Sequence, residues 1–405
     1  MKEPSSKPTQ HGRWRARFIL VLVGFLFGLG IAEISCRIFG YSFPNFYTPD
    51  AALGYTLVPQ TEGWYRREGQ TYVHINSEGL RDREHTKKKP SNTIRVAVLG
   101  DSYAEALQVP MEQTWWHLVE EKLHACLAPS NIEVLNFGVS GYGTAQELIM
   151  LRERVWAYDP DVVLLAFTTN NDVSDNLRAL KKNPAIPYFR LQDGKLTLDD
   201  SYLNSTKYRW SNSRLTRFGR WIESHLRIVQ ALHQAMSTHN DMPNSLIVQA
   251  KPAGSQNPEA LGDIGIDNAI YAAPRSPDWT EAWRVTEALL QEMDSEVRAH
   301  HTRFIVVTLS NGVQVIPNSE AREVFLKRVG GTDLFYPDQR VRELCERLGI
   351  PVITLAPILQ SYAEQQHAFL HGFGKNIGNG HWNVLGHSVA AEALTPRLCE
   401  LVKRQ

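Results

Sequence analysis

The sequence predicts an α/β protein with a central parallel sheet, preceded by one N-terminal transmembrane helix. From residue 93 onward, short β-branched runs alternate with stretches of helical periodicity, a pattern typical of parallel sheets with right-handed crossovers. A charge-free apolar run at residues 18–32 indicates the membrane helix. The length of 405 residues is sufficient for one large domain with additions, or for two domains.

The composition excludes several classes of protein. Hydrophobic residues make up 43% of the chain and charged residues 21%, so most of it can bury a core. The 43 basic and 43 acidic residues cancel, which argues against a nucleic-acid binder, since phosphates require a basic excess. Four cysteines are too few for a disulfide scaffold. Cys126, Cys345 and Cys399 allow one disulfide outside the cytoplasm, but the sequence does not select the pair.

Residues 18–36 are predicted to be a transmembrane anchor, and residues 1–17 a cytoplasmic tail. The apolar run is just long enough to span a bilayer. Basic residues precede it and none follows Arg37 until Arg66, so the positive-inside rule keeps the N-terminus in the cytoplasm. A cleaved signal peptide ending at residues 30–32 is the alternative. We therefore expect a single-pass inner-membrane protein whose main domain lies in the periplasm or outside the cell.

The rest of the chain is predicted to form an extension and one main domain. Residues 37–92 are rich in aromatic and turn residues, which favours short strands and loops packed on the core. Residues 93–405 form the main domain. Its predicted strands are 93–99, 132–137, 162–167, 303–309 and 351–355, and its predicted helices are 115–126, 145–158, 276–300, 338–348 and a last one from about 384.

The alternating pattern fades between about residue 176 and residue 275. Asp193-Gly194 predicts the turn of a hairpin, residues 210–236 predict a helix, and residues 239–276 are typical of a long loop. An insertion of this length exceeds an ordinary connection. We interpret it as a lid or a substrate-facing subdomain.

The first core strand ends at Gly100-Asp101-Ser102. The carboxyl edge of an open α/β sheet is where ligands bind, and a serine at the turn into a helix can expose its hydroxyl there. Serine is a weak nucleophile until a base removes its proton. Because serine is also a common helix N-cap, this tripeptide alone is weak evidence for catalysis.

Polar residues also follow the next two strands and the last one. Acyl transfer needs hydrogen-bond donors aimed at a developing oxyanion. Gly141 offers a backbone N–H and Asn171 offers a side-chain amide, although both are ordinary turn residues. His381 lies between the last predicted strand and the last helix, where the chain returns to the same sheet edge.

Together these segments resemble the SGNH/GDSL hydrolase family, which comprises esterases, acyl hydrolases and polysaccharide deacetylases. The resemblance covers about residues 93–175 and 276–400, and it implies a flavodoxin-like three-layer α/β/α fold. Its motifs occur in the expected order, as Leu99-Gly100-Asp101-Ser102-Tyr103, Gly141, Asn171-Asp172 and His381. The extension is also similar to the leader of membrane-anchored bacterial members, at Asn76-Ser77-Glu78-Gly79-Leu80-Arg81-Asp82.

The resemblance implies Ser102 as nucleophile and His381 as general base. It also implies an oxyanion hole made by the Ser102 N–H, the Gly141 N–H and the Asn171 side chain. The functional expectation is a serine-dependent ester hydrolase of the esterase or deacetylase type, without a cofactor, acting outside the cytoplasm on acyl esters such as acylated glycans.

One position departs from the family pattern. The family usually has an aspartate two or three residues before the histidine, but here Gly378 and Asn379 occupy those positions and no aspartate follows Asp338. Asn379 is therefore the expected partner of His381, through its amide oxygen, with a backbone carbonyl as the alternative. An amide cannot balance the imidazolium charge, and in a serine protease the corresponding Asp-to-Asn change lowers turnover by about 10⁴.

Three other functions remain open on the sequence. The acyl-enzyme could pass its acyl group to a sugar, as in an O-acyltransferase acting on a surface polysaccharide. The missing aspartate and the aromatic flanks would suit a catalytically silent glycan-binding scaffold. A metal site is disfavoured because Gly372 and Gly374 break the helix on which two of the C-terminal histidines, four residues apart, could share a face. The C-terminal histidines are His367, His371, His381 and His387.

Overall fold

Eleven β-strands lie in the part of the chain that the computed structural model describes, residues 10–239 and 268–403. Most of the predicted loop at 239–276 lies outside the described residues. The strands are β1 Tyr47–Asp50, β2 Gly54–Leu57, β3 Glu62–Tyr65, β4 Thr71–His74, β5 Thr93–Gly100, β6 Asn131–Asn136, β7 Val162–Thr168, β8 Tyr188–Gln192, β9 Lys195–Asp199, β10 Arg303–Leu309 and β11 Val352–Thr354.

Fourteen α-helices accompany these strands in the described residues. They are α1 Gln10–Ile38, α2 Ser102–Glu105, α3 Trp115–Cys126, α4 Thr144–Glu153, α5 Asp172–Asp175, α6 Arg178–Lys181, α7 Thr206–Ser211, α8 Arg214–His225, α9 Arg227–His239, α10 Pro277–Ala299, α11 Ser319–Val329, α12 Tyr336–Leu348, α13 Ala356–Gln366 and α14 Val384–Lys403.

The central sheet contains five parallel strands in the order β11-β10-β7-β5-β6. Counted along the chain this is the order 2-1-3-4-5 of flavodoxin-like folds, so the predicted fold class is confirmed. The strand order reverses between β5 and β7. Ligands bind at such a switch point, at the carboxyl ends of the strands.

Helices cover both faces of this sheet, which is why its strands are apolar along their whole length rather than alternating. One face packs against α4, α10 and α12, and the other against α3, α13 and α14. Trp283 lies in the first layer, whereas Trp115 and Trp116 are fully buried in the second. The result is the three-layer arrangement that the resemblance implies.

A disulfide joins Cys126, the last residue of α3, to Cys399 in α14. Cys345 is buried among the side chains on the opposite face of the sheet. The sheet itself therefore separates Cys345 from the other two cysteines, and this decides the pairing that the sequence leaves open.

Replacing both disulfide cysteines by serine is expected to lower the free energy of unfolding by about 2–4 kcal/mol, because the bond closes a long loop in the unfolded chain. Urea unfolding of the detergent-solubilised protein, followed by circular dichroism, measures the change. The Cys36→Ser variant loses a thiol without losing the bond and serves as the control. An unchanged unfolding midpoint in the Cys126→Ser/Cys399→Ser variant would contradict the prediction.

The extension contributes two antiparallel hairpins, β1–β2 and β3–β4. The side chains of Tyr55, Leu57, Val73 and Ile75 are buried in the same cluster as α4 and α10. One compact unit accordingly comprises Phe46–Ser213 and the described residues from Asn268 onward. The first part of the insertion belongs to this unit and contains the predicted Asp193-Gly194 hairpin as β8–β9.

A second compact unit contains α1, α8 and α9. Within α1, Trp14–Ile38 is long and apolar enough to cross a membrane, and its most apolar window is not buried. A helix of this kind near the N-terminus fits either a membrane anchor or a signal sequence.

The predicted helix at 210–236 is interrupted. The structure has α7, α8 and α9 there, with a break between His225 and Arg227. Side chains of α1 replace the helical hydrogen bonds at this break, since Glu33 accepts from the Ile228 N–H (2.9 Å) and Arg37 donates to the His225 carbonyl (2.7 Å). No local sequence pattern predicts that side chains of a distant helix replace hydrogen bonds within this one.

Candidate active site

Ser102 is the first residue of α2, immediately beyond the carboxyl end of β5. Asp101 caps this short helix, with its carboxylate accepting from the Tyr103 N–H at 2.9 Å. Gly100 allows the tight turn, because a Cβ there would lie 2.9 Å from the Cβ of Ala104. The Ser102 side chain is half-buried, and it stands beside the switch point of the sheet.

His381 lies directly against this serine, although 279 residues separate the two in the chain. The distance from His381 Nε2 to Ser102 Oγ is 2.7 Å, which is within range for direct proton transfer. His381 is half-buried in the loop before α14.

The second ring nitrogen of His381 contacts Glu68, which lies between β3 and β4 in the extension. The Nδ1–Oε2 distance is 2.5 Å, and the other carboxylate oxygen accepts from the His381 backbone N–H at 2.8 Å. An ionised carboxylate only accepts hydrogen bonds, so the ring proton resides on Nδ1. Nε2 is then an acceptor for the hydroxyl proton of Ser102, as a general base requires.

The hydrogen bond that the sequence analysis assigns to Asn379 is therefore made by Glu68, and that assignment is corrected. Asn379 lies in a turn in which its N–H donates to the Asn376 carbonyl (3.0 Å). Its side-chain oxygen is buried and has no hydrogen-bond partner in the described chain. No sequence signal pointed to Glu68, which lies 313 residues before His381 in a segment without helical or strand periodicity.

Two glycines permit the approach of Glu68. A Cβ on Gly380 would lie 2.2 Å from the Glu68 carboxylate, and Gly380 has a φ of +85°. On the other side, Gly69 has a φ of +69°, and a Cβ there would lie 2.3 Å from the Gln108 carbonyl oxygen. Both positions combine a left-handed backbone with a close contact, so a larger residue would move the carboxylate away from the ring.

A buried hydrogen-bonded chain holds the loop that carries His381. The Gly380 carbonyl accepts from the Tyr103 hydroxyl (3.2 Å) and lies 2.7 Å from His371 Nδ1. Burial lowers the pKa of His371 to about 4, so its ring is neutral and donates through one nitrogen. Its Nε2 accepts from the Ser310 hydroxyl (3.1 Å), and the Ser310 oxygen accepts from the Trp382 indole N–H (2.8 Å).

The C-terminal histidines do not converge on a metal. Residues 10–239 and 268–403 contain no group of three or more His, Cys, Asp or Glu side chains suited to hold one. His387 accepts from the Trp115 N–H through Nδ1 (3.2 Å), and burial lowers its pKa to about 3. His367 ends α13 in a left-handed conformation.

Asn171 lies beside the nucleophile turn. Its amide nitrogen donates to the Asp101 carboxylate at 2.9 Å, and Thr168 donates to the same carboxylate at 3.0 Å. Only one of the two amide protons of Asn171 is used in this bond. This bond fixes the Asn171 amide beside Asp101, the residue that precedes Ser102.

The backbone around Gly141 is fixed by neighbouring groups. The Val139 N–H donates to the Gly100 carbonyl (3.1 Å), which attaches this loop to the end of β5. The buried Tyr55 hydroxyl donates to the Ser140 carbonyl (2.7 Å). In a trans peptide the N–H points opposite the carbonyl, so Tyr55 sets the direction of the Gly141 N–H. That N–H has no hydrogen-bond partner among the described residues.

The Glu68–His381 pair shifts both pKa values. Burial alone would lower the pKa of His381, but the charge and hydrogen bond of Glu68, together with the charges of Asp101 and Glu105, outweigh burial and raise this pKa. Burial would raise the pKa of Glu68, but the charge and hydrogen bonds of His381 lower it. The carboxylate therefore stabilises the imidazolium that proton transfer would create.

This shift gives an expected pH profile. His381 must be neutral to accept the Ser102 proton, so kcat/KM is expected to rise with pH through the His381 pKa, with a midpoint above the ordinary value of 6.5. Initial rates on a neutral ester, measured across the neutral pH range, locate this midpoint. A midpoint below 6.5 would contradict the raised pKa.

Comparisons with known proteins give weak likenesses. No family model and no curated protein matches the chain. Among solved structures, the acetyl xylan esterase AlAXEase is 12% identical, covering 75% of this chain and 100% of its own, with a TM-score of 0.38. Axe2, an acetylxylan esterase from Geobacillus stearothermophilus, is 13% identical, covering 75% of this chain and 94% of its own, with a TM-score of 0.37.

A third solved structure is LAE5, an alpha/beta hydrolase enzyme from the metagenome of Lake Arreo, Spain. It is 14% identical, covering 75% of this chain and 94% of its own, with a TM-score of 0.36. Scores and identities at this level carry no argument about activity. The functional conclusion therefore depends on the geometry of the site.

Proposed function

We propose that this chain is a serine-dependent ester hydrolase of the SGNH/GDSL type, with Ser102, His381 and Glu68 as its catalytic residues. The observation that carries the proposal is the continuous hydrogen-bonded line from Ser102 Oγ through the His381 ring to Glu68, at 2.7 Å and 2.5 Å. A nucleophile, a base and a group that orients the base are the three parts that an acyl-transfer site requires.

In the first half of the reaction, the Ser102 hydroxyl proton moves to His381 Nε2 as Oγ attacks the ester carbonyl carbon. The carbonyl oxygen becomes an oxyanion, which accepts from the N–H groups of Ser102 and Gly141 and from the Asn171 amide. When this intermediate collapses, the bond to the alcohol oxygen breaks and His381 returns the proton to the leaving alcohol.

In the second half, a water molecule attacks the acyl carbon and gives a proton to His381. Collapse of the second intermediate breaks the bond to Ser102 Oγ, which recovers its proton from His381, and the carboxylic acid leaves. If a sugar hydroxyl replaces water, the same residues perform acyl transfer. Product analysis with and without an added sugar acceptor separates the two outcomes.

The proposed location is outside the cytoplasm, with α1 as an inner-membrane anchor. The Cys126–Cys399 disulfide supports this, because such bonds persist in oxidising compartments. We propose acylated surface glycans and small esters as the substrate class. Ester turnover measured with acyl chains of increasing length and with acetylated oligosaccharides tests this directly.

A fluorophosphonate probe tests the mechanism, because it reacts with a serine only when a neighbouring base activates it. Stoichiometric labelling of Ser102 is expected, as read by mass spectrometry of the peptide that contains it. The His381→Ala variant should label far more slowly. Absence of labelling in folded protein would overturn the enzyme and favour the glycan-binding scaffold.

A further inference from the structure

We propose that α8 and α9 form a second membrane contact, lying in the outer headgroup region of the bilayer that α1 crosses. We call Arg214–His239 the α8–α9 hairpin. The inference goes beyond the proposed ester hydrolase and rests on α1 being inserted in a membrane.

Each helix of the α8–α9 hairpin carries large apolar side chains that are exposed. Leu215, Phe218 and Trp221 of α8 are 69%, 57% and 56% exposed, and their spacing places them on one side of a helix. In α9, Leu232 and Met236 are one helical turn apart and are 58% and 59% exposed. A soluble surface rarely leaves a contiguous apolar face of this kind open to water.

Basic residues border the apolar face of α8. Arg217 and Arg220 lie on the side of α8 next to Trp221, whereas Arg214, seven residues before Trp221, lies on the same side as Trp221 itself. Glu223 is the only acidic residue of α8. A helix with one aromatic and aliphatic face beside a row of arginines is typical of helices that lie in the interface of anionic membranes.

The α8–α9 hairpin is attached to the end of the candidate span. Glu33 and Arg37, in the last turns of α1, bond to the Ile228 N–H and the His225 carbonyl. Just beyond α1, the Phe43 N–H donates to the Gln230 side chain at 2.9 Å. These contacts fix the hairpin at the level where the helix leaves the apolar part of the bilayer.

This position identifies lipid as the occupant of the apolar face. The most apolar window of α1 is itself uncovered in the structure, so the bilayer that covers it ends where the α8–α9 hairpin begins. Tryptophan and arginine are the residue types that favour this depth. A second copy of the chain is the less favoured occupant, because it would have to displace lipids from the apolar face within the same headgroup layer.

The full chain in lipid nanodiscs, with bromine placed near the headgroup end of the acyl chains, provides the test. Bromine quenches only tryptophans in contact with the lipid. The contribution of Trp221 to the tryptophan fluorescence is the difference in emission between the parent and the Trp221→Phe variant. We expect brominated lipid to remove most of this contribution. If brominated lipid leaves the fluorescence of Trp221 unchanged, the proposal is overturned. This holds whether the emission of Trp221 is that of a tryptophan buried in protein or of one exposed to water.

Two further variants make the readout specific. Leu215→Asp places a charge on the apolar face and should reduce the quenching of Trp221, whereas Thr216→Asp places the same charge elsewhere on α8 and should not. Trp14, in α1, reports insertion through the Trp14→Phe difference. Quenched Trp14 with unquenched Trp221 would refute the interfacial hairpin while leaving the anchor and the hydrolase intact.

Discussion

The Ser102→Ala variant is expected to lose ester turnover by about 10⁶ in kcat while retaining the fold. Alanine removes the only atom that attacks the acyl carbon, and the His381 ring then has no proton to accept. Hydrolysis of a chromogenic acetate ester gives the rate, and circular dichroism with a thermal melt shows that the protein is folded. A half-buried side chain at the end of β5 contributes little to the core, so stability should change by less than about 1 kcal/mol.

Two controls sharpen this prediction. Ser91→Ala removes an exposed hydroxyl just before β5 and should leave turnover unchanged. The Ser102→Ala/His381→Ala double variant should be no slower than Ser102→Ala alone, because residues that act as one unit lose their effect together. Turnover by Ser102→Ala within tenfold of the parent would mean that another group is the nucleophile.

The order and class of the core elements could be predicted because they depend on local patterns. Each strand of the central sheet is a short β-branched run, and a buried parallel strand requires little else. The carboxyl ends of parallel strands share one edge, so residues that directly follow β5, β6 and β7 are close in space wherever the sheet forms. This is why the loops after these strands could be expected to share one site, while the choice of Ser102, Gly141 and Asn171 came from the resemblance to the hydrolase family.

The features that could not be predicted from the sequence all depend on packing between distant segments. Glu68 reaches His381 only because Gly69 and Gly380 let two loops meet closely. The partner of Cys126 is decided by which helices share a face of the sheet. The helices α11 and α13 were missed, although Asn318 and Gly330 cap the first of them.

The Glu68→Gln variant is expected to lower kcat/KM by about 10²–10⁴, by analogy with the loss of the orienting carboxylate in a serine protease triad. Glutamine is nearly the same size but neutral, and its amide can donate to Nδ1 and so favour the wrong ring tautomer. The loss of negative charge should also lower the His381 pKa, because the charge and hydrogen bond of the Glu68 carboxylate raise this pKa whereas burial lowers it. The acid limb of the pH profile should therefore move to lower pH, which a merely structural defect would not produce.

Glu62→Gln, on β3 of the same hairpin, removes an equal charge that lies beside His74, and it should leave both the rate and the acid limb unchanged. Glu68→Asp keeps the charge and should recover part of the rate and most of the pKa shift. Asn379→Ala should have little effect, because the Asn379 oxygen bonds no described residue. If Asn379→Ala were instead the slower variant, and Glu68→Gln kept the parent acid limb, the carboxylate would not orient the base. The extension would then have no part in the chemistry.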